Sequence, residues 1–193
     1  MDRCFVFIDN SNLFIEAKRI ARTQYAYDSE QVFRLRIDFG KLLEIIKEKR
    51  TLGAAILVGS RPPENDTLWS TLKKLGLEPR IFDRSVHTGR EKGVDSEAIN
   101  AIRDTLEENP TPGTIALVAG DGDYTSTLER CLKKGWRVEV YFWSNASTAL
   151  KRLPGSKFIE MDRFLPKISF EAKGLGGADR VSEGLETEPQ EAY

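Results

Sequence analysis

The chain has 193 residues, 40% of them hydrophobic, which suits one buried core and one principal domain. Its formal net charge of −1 sets up no global basic field, so a nucleic-acid partner would need a local patch. The apolar run in MDRCFVFID is too short for a signal peptide and ends in an acid, and no run nears the roughly 18 residues that span a bilayer; a soluble, cytoplasmic protein with no membrane partner is expected.

In chain order, Cys4–Ile8 is continuously apolar, as strands covered on both faces are. A helix is expected over Asn12–Ile20, while Arg22–Arg36 is polar and aromatic without a clear period and reads as an insertion. Asp38 is placed to cap a helix through Lys49, with Leu42, Leu43, Ile45 and Ile46 toward one side. Ala54–Val58 is a second strand, Glu64–Leu75 a helix stopped at Gly76, and Glu78–Phe82 a weaker strand. Asp95–Glu107 spaces Ile99, Ile102 and Leu106 for one helical face, and Asn109-Pro110 closes it. Then come a strand at Ile115–Ala119, a helix at Tyr124–Lys134 stopped by Gly135, a strand at Val138–Trp143 and a short edge at Phe158–Ile159. Strands alternating with helices imply an α/β sandwich on a mainly parallel sheet.

The domain is assigned to residues 1–168 and the remainder, 169–193, to a disordered acidic tail. From Glu171 onward there are six acidic residues against two basic ones, a charge of −4 that leaves the body at +3. Cys4 and Cys131 have no CxxC spacing and no neighbouring histidine, so both are expected to be buried reduced thiols. The single histidine, His87, cannot build a His-rich metal site.

In an open parallel sheet, ligands bind beyond the carboxyl ends of the strands, where the strand order reverses. Asp9 follows the first strand, and in LVAGDGDYTS Asp121 follows another; if those strands are neighbours, the two carboxylates converge. Gly120 and Gly122 are expected to permit a sharp turn and Asp123 to cap the next helix, while Asp121 has no capping duty. In GREKGVDSEAI, Asp95 opens a further helix. Asp123 and Asp95 each read equally well as an N-cap, which Asp121 does not, but three strand-to-helix junctions with an acid each point to one site. Like charges packed closely need a cation or a raised pKa. Oxygen donors without histidine or cysteine select a hard ion, Mg²⁺ or Mn²⁺. Arg61, Arg84, Arg90 and Lys92 fall in or near loops on the same edge, where they would draw in phosphate; singly, each is more often a solvated surface residue. Trp143, ending a strand, is a candidate for stacking on a base, and Tyr124 is read as core.

Three blocks, FIDNSNLF, KGVDSEAI and LVAGDGDYTSTLERCLKKGWRVEVY, occur in an order that resembles the NYN domains, relatives of the PIN-like nucleases, and their LabA-type branch in particular. The resemblance implies a PIN-like three-layer sandwich, an acidic pocket for Mg²⁺ or Mn²⁺, and metal-dependent cleavage of RNA, single-stranded by preference. It carries over Asp9, Asp95, Asp121 and Asp123 as the catalytic and metal-binding acids, and Asn12 as the polar residue of the first block. On that reading Asn10 and Ser11, at the same helix start, help receive a phosphate through main-chain amides. Relatives often need a partner to build the substrate groove, so a homodimer is one expectation. Three positions depart from the family pattern: Ala101 where many relatives have an aspartate, Ala119 where a serine is usual, and Gly155-Ser156 where an Ala-Asp pair is common. A rival reading, favoured by Ala101, is an RNA-binding or protein-interaction module that does not cleave. A metal-dependent phosphatase is a second rival, weakened because Asp9-Asn10-Ser11 stands where such enzymes carry D-x-D.

Overall fold

The first strand, β1 (Arg3–Asp9), buries every residue from Cys4 onward. Its side chains alternate: Cys4, Val6 and Ile8 enter one core, Phe5 and Phe7 the other. The computed structural model, which describes residues 2–61, 67–83 and 94–172, continues from β1 in an alternating series. The elements are α1 (Asn10–Tyr25), α2 (Ser29–Arg34), β2 (Leu35–Ile37), α3 (Phe39–Lys47), β3 (Thr51–Arg61), α4 (Thr67–Lys74), β4 (Glu78–Asp83) and α5 (Val94–Glu108). They continue with β5 (Thr114–Val118), a 3₁₀ turn (Gly122–Tyr124), α6 (Thr125–Lys133), β6 (Arg137–Phe142), α7 (Thr148–Lys151), β7 (Lys157–Glu160), α8 (Leu165–Ile168) and β8 (Ser169–Glu171).

Six strands form one parallel sheet in the order β4-β3-β1-β5-β6-β7. Helices α1, α3 and α8 cover one face, contributing Leu13, Ile20, Leu42, Ile46 and Leu165 to its core. Helices α5 and α6 cover the other, with Ala98, Ile102, Leu128 and Cys131. The result is a three-layer sandwich with both sheet faces buried, which is why the strands read as unbroken apolar runs. The chain leaves β1 toward β3 and β4, and α5 then carries it back to β5 on the opposite flank of β1. The strand order therefore reverses between β1 and β5.

Arg22–Arg36, read from the sequence as an insertion, holds the end of α1, all of α2, and most of β2. β2 pairs antiparallel with β8, Leu35 opposite Glu171 and Ile37 opposite Ser169. Ser169–Glu171, past the residue 168 at which the sequence places the domain's end, is hydrogen-bonded strand, and the Ala172 amide donates to the Arg34 carbonyl at 2.8 Å. The acidic stretch from residue 173 onward lies outside the described residues.

Cys4 and Cys131 are both free and fully buried. Desolvation pushes each thiol up to about 11, so both stay protonated at neutral pH. Among the described residues no helix is long and apolar enough to cross a membrane.

Candidate active site

β1 and β5 are adjacent, with Ile8 opposite Val118, so Asp9 and Asp121 emerge at the same edge of the sheet, at the point where the strand order reverses. Asp9 is the last residue of β1 and the N-cap of α1; its Oδ1 accepts the Asn12 amide at 3.1 Å. Following the alternation of Phe5 and Phe7, its side chain meets the α5–α6 layer, where the Tyr124 hydroxyl donates to Oδ2 at 3.4 Å. Asp9 and Tyr124 are both buried.

The turn carrying the other acids is tied to the same place by Asn12, whose Oδ1 accepts the Gly120 amide at 2.9 Å. Asn12 thus links the start of α1 to the turn after β5, across 108 positions of sequence. Asn10 and Ser11, the first two residues of α1, lie beside it and are half-buried. Asp121 does have a capping duty, contrary to the sequence reading: its Oδ1 accepts the Asp123 amide at 3.1 Å and starts the 3₁₀ turn. Asp123 sits inside that turn and does not cap α6, whose N-cap residue, Tyr124, makes no side-chain capping bond. Both carboxylates are exposed, and among the described residues no lysine or arginine pairs with either.

Gly120 has a different purpose from the one expected. Neither Gly120 nor Gly122 has a positive φ. A Cβ on Gly120 would lie 2.1 Å from Cε1 of Phe142, so the position needs glycine for close packing, not for a left-handed turn.

Asp95 is the second residue of α5. That helix runs antiparallel to the strands: just past its end, Asn109 accepts from Arg3 Nη1 at 2.8 Å, beside the start of β1. In its first turns Glu97 pairs with Arg80 at 2.7 Å. Arg80 is level with Val58, and Val58 with Asp9. The start of α5 therefore reaches the edge that carries Asp9. Arg61 ends β3 three residues beyond Val58, past the same edge. The side chains of Asp95 and Arg61, and all of Arg84, Arg90 and Lys92, lie outside the described residues.

Trp143 does not serve as a stacking platform. It is fully buried, and its Nε1 donates to the Leu13 carbonyl at 3.0 Å. The ring turns under α1 because that carbonyl gives its N–H a partner inside the core. Tyr124 is core, as read, but its hydroxyl reaches Asp9, which the sequence did not signal. Asp162 was also missed. It is buried, its Oδ1 accepts the Ser144 amide at 2.8 Å, and its other oxygen accepts from Gln24 Nε2. It pins the loop after β6, which borders the acidic turn through the Ser147 amide, 2.8 Å from the Gly120 carbonyl. The departures from the family pattern also acquire locations. Ala101 belongs to the core between α5 and the sheet, where a carboxylate would be desolvated, and Ala119 is buried in the same core. Gly155-Ser156 lies in the connection entering β7, at the amino edge of the sheet.

Among the described residues no group of three or more His, Cys, Asp and Glu side chains is drawn together closely enough to cage a metal. The donors nevertheless fit Mg²⁺ or Mn²⁺ in kind: oxygen only, two of the three carboxylates open to water, and a fourth on the α5 start. Mg²⁺ keeps several waters and is commonly bound by one or two carboxylates plus substrate phosphate, so a full protein cage is not required.

The family profile that matches this sequence is that of the NYN domain, and it spans residues 3–162. The chain belongs to the NYN domain family. That family is part of the PIN-like nuclease superfamily, and the three-layer parallel architecture here is the one expected of it. A solved protein of unknown function from Vibrio parahaemolyticus resembles this NYN domain with a TM-score of 0.64 and 17% identity, over 83% of this chain and 94% of that one. At that identity the likeness is one of fold. No curated protein matches the chain.

Proposed function

We infer that this NYN domain is a LabA-type ribonuclease that hydrolyses phosphodiester bonds of single-stranded RNA with Mg²⁺ or Mn²⁺ held by Asp9, Asp121, Asp123 and Asp95. The observation that supports the reading is the adjacency of β1 and β5, with Asp9 and Asp121 following them at the same edge of the sheet, where the strand order reverses. A bound divalent ion there would polarise a phosphoryl oxygen and lower the pKa of a coordinated water.

The chain's own groups divide the remaining work. Asp121 and Asp123 present carboxylate oxygens to solvent on a single turn, and only one of those oxygens is used internally among the described residues. Asp9 is held from two sides, by the Asn12 amide and the Tyr124 hydroxyl, so its oxygens keep a fixed direction. Asn12 acts through the turn it holds at Gly120. The amides of Asn10 and Ser11 open α1 at this edge, where the helix N-terminus favours a phosphate.

Labelled single-stranded RNA incubated with wild-type protein or Asp121→Asn, in Mg²⁺, Mn²⁺ or EDTA, decides the matter. Metal-dependent cleavage that falls at least a hundredfold in the variant, the scale of losing one metal-polarising group, is expected. RNA retained uncut in every condition would replace the nuclease with a binding module. Turnover of a small phosphomonoester without RNA cleavage would replace it with a phosphatase.

A further inference from the structure

We propose that single-stranded RNA leaves the acidic edge along a basic track on α7 and α6, with Lys151, Arg152 and Lys133 contacting its phosphates. The inference rests on the ribonuclease reading and adds the path along which the uncut strand is held.

The charges of this flank are lopsided. From Glu129 to Lys157 the sequence has seven basic residues and two acids, Glu129 and Glu139. Glu139 is already taken by Arg50, 2.9 Å away in a largely buried pair, and Arg137 is paired with Asp2. The other six, Arg130, Lys133, Lys134, Lys151, Arg152 and Lys157, are all exposed, and none is ion-paired among the described residues. Many basic side chains elsewhere are matched: Arg19 with Glu16, Arg34 with Glu30, Lys47 with Glu44, Arg80 with both Glu78 and Glu97. A cluster of unmatched cations in a chain of net charge −1 makes the local field that a phosphate backbone needs.

The cluster also begins at the acidic turn. Ser147, the N-cap of α7, donates its amide to Gly120, and its Oγ lies 3.0 Å from where a Cβ on Gly122 would stand. Lys151 and Arg152 follow within one helical turn, and the Lys151 ammonium leans back onto the Ser144 carbonyl. Past them, Leu153 and Pro154 share a shallow depression with Leu132, Lys133 and Glu129 of α6. Glu129 is the acid in that depression, with Lys133 beside it and Lys134 and Arg152 adjoining in sequence. The sequence of groups is thus carboxylates, then Lys151 and Arg152, then Lys133. Continuity with the carboxylate turn favours a phosphodiester strand over an acidic protein as the occupant.

The test measures binding of a labelled single-stranded RNA by anisotropy, in EDTA so that nothing is cut, over a series of salt concentrations. Lys133→Glu/Arg152→Glu is compared with Lys73→Glu/Lys74→Glu, an equal charge change at two exposed positions on α4. The track pair should weaken binding by about tenfold or more and flatten the log–log salt slope by about 1.4, since each lost phosphate contact on a single strand removes about 0.7. The α4 pair should change affinity less than about twofold, because its charges are screened from the track. Equal losses in both pairs, no loss in the track pair, or no binding by the wild type would each overturn the track. Thermal melts confirm that the variants are folded. Metal-dependent cleavage with an inert track would leave the ribonuclease standing, whereas track-dependent binding without cleavage would leave the track and remove the nuclease.

Discussion

Tyr124 joins residues 115 positions apart, because its hydroxyl donates to Asp9 at the end of β1 while its ring lies in the α5–α6 core. Tyr124→Phe should therefore keep the packing and loosen the carboxylate. A hydrogen bond to a charged group is worth about 1.5–3 kcal/mol, and at 3.4 Å this one lies at the weak end, so the Mn²⁺ concentration for half-maximal cleavage should rise about tenfold. The melting temperature should fall by only a few degrees. A variant whose metal response matches the wild type would show that Tyr124 is packing alone. At this scale the placement of Asp9 and Asp121 just past two strands was legible, because each follows an apolar run. The tyrosine's role was not, since an aromatic residue at helical spacing looks the same whether or not its hydroxyl has a charged partner. Trp143 failed for the reverse reason: its place at a strand end suggested exposure, but the Leu13 carbonyl lets the indole N–H be satisfied within the core.

Among the elements, β1 and β5 were legible because both faces of each are buried, leaving unbroken apolar runs, and β6 because only Glu139 interrupts its run. β2 and α2 were not. α2 buries only Val32, and β2 is three residues long with a partner, β8, more than 130 residues downstream in a stretch that reads as polar tail. Pairing that distant leaves no local period. The turn between β5 and α6 was located correctly but for the wrong physical reason. Gly120 was assigned to chain reversal, whereas the Phe142 ring occupies the space a side chain would need. Gly120→Ala tests this directly. The clash is with a fully buried ring in β6, so relief requires the turn to lift from the sheet. Overpacking of this kind costs about 1–3 kcal/mol. A loss of that size in urea unfolding is expected, together with impaired cleavage, because Asp121 is the next residue. Stability equal to wild type would mean that the turn moves freely.

Taken whole, the molecule is a parallel sheet whose two cores each hold one protonated thiol, Cys4 on the α1–α3 side and Cys131 on the α5–α6 side. That symmetry gives its stability a definite alkaline limit. Unfolded, each thiol titrates near its ordinary value of 9.0; folded, burial holds each at about 11. As pH rises through 9, the unfolded chain releases protons that the native state retains, so the equilibrium moves toward unfolding. The stabilisation is complete below 9 and is lost progressively between 9 and 11. Two groups shifted by about two units each amount to something on the order of 5 kcal/mol. Tyr141 works in the same direction at still higher pH, because desolvation and then its hydrogen bond to Glu139 raise its hydroxyl above 10.0. Urea midpoints measured at about pH 8, 9.5 and 10.5 should fall steeply in the wild type. In Cys4→Ala/Cys131→Ala the baseline should be lower, since both side chains are fully buried, but the decline shallower. Lysine deprotonation is common to both proteins, so the difference between the two slopes isolates the thiols. Parallel slopes would mean that the native state opens enough at high pH to ionise both cysteines, and that the two cores are not closed to water.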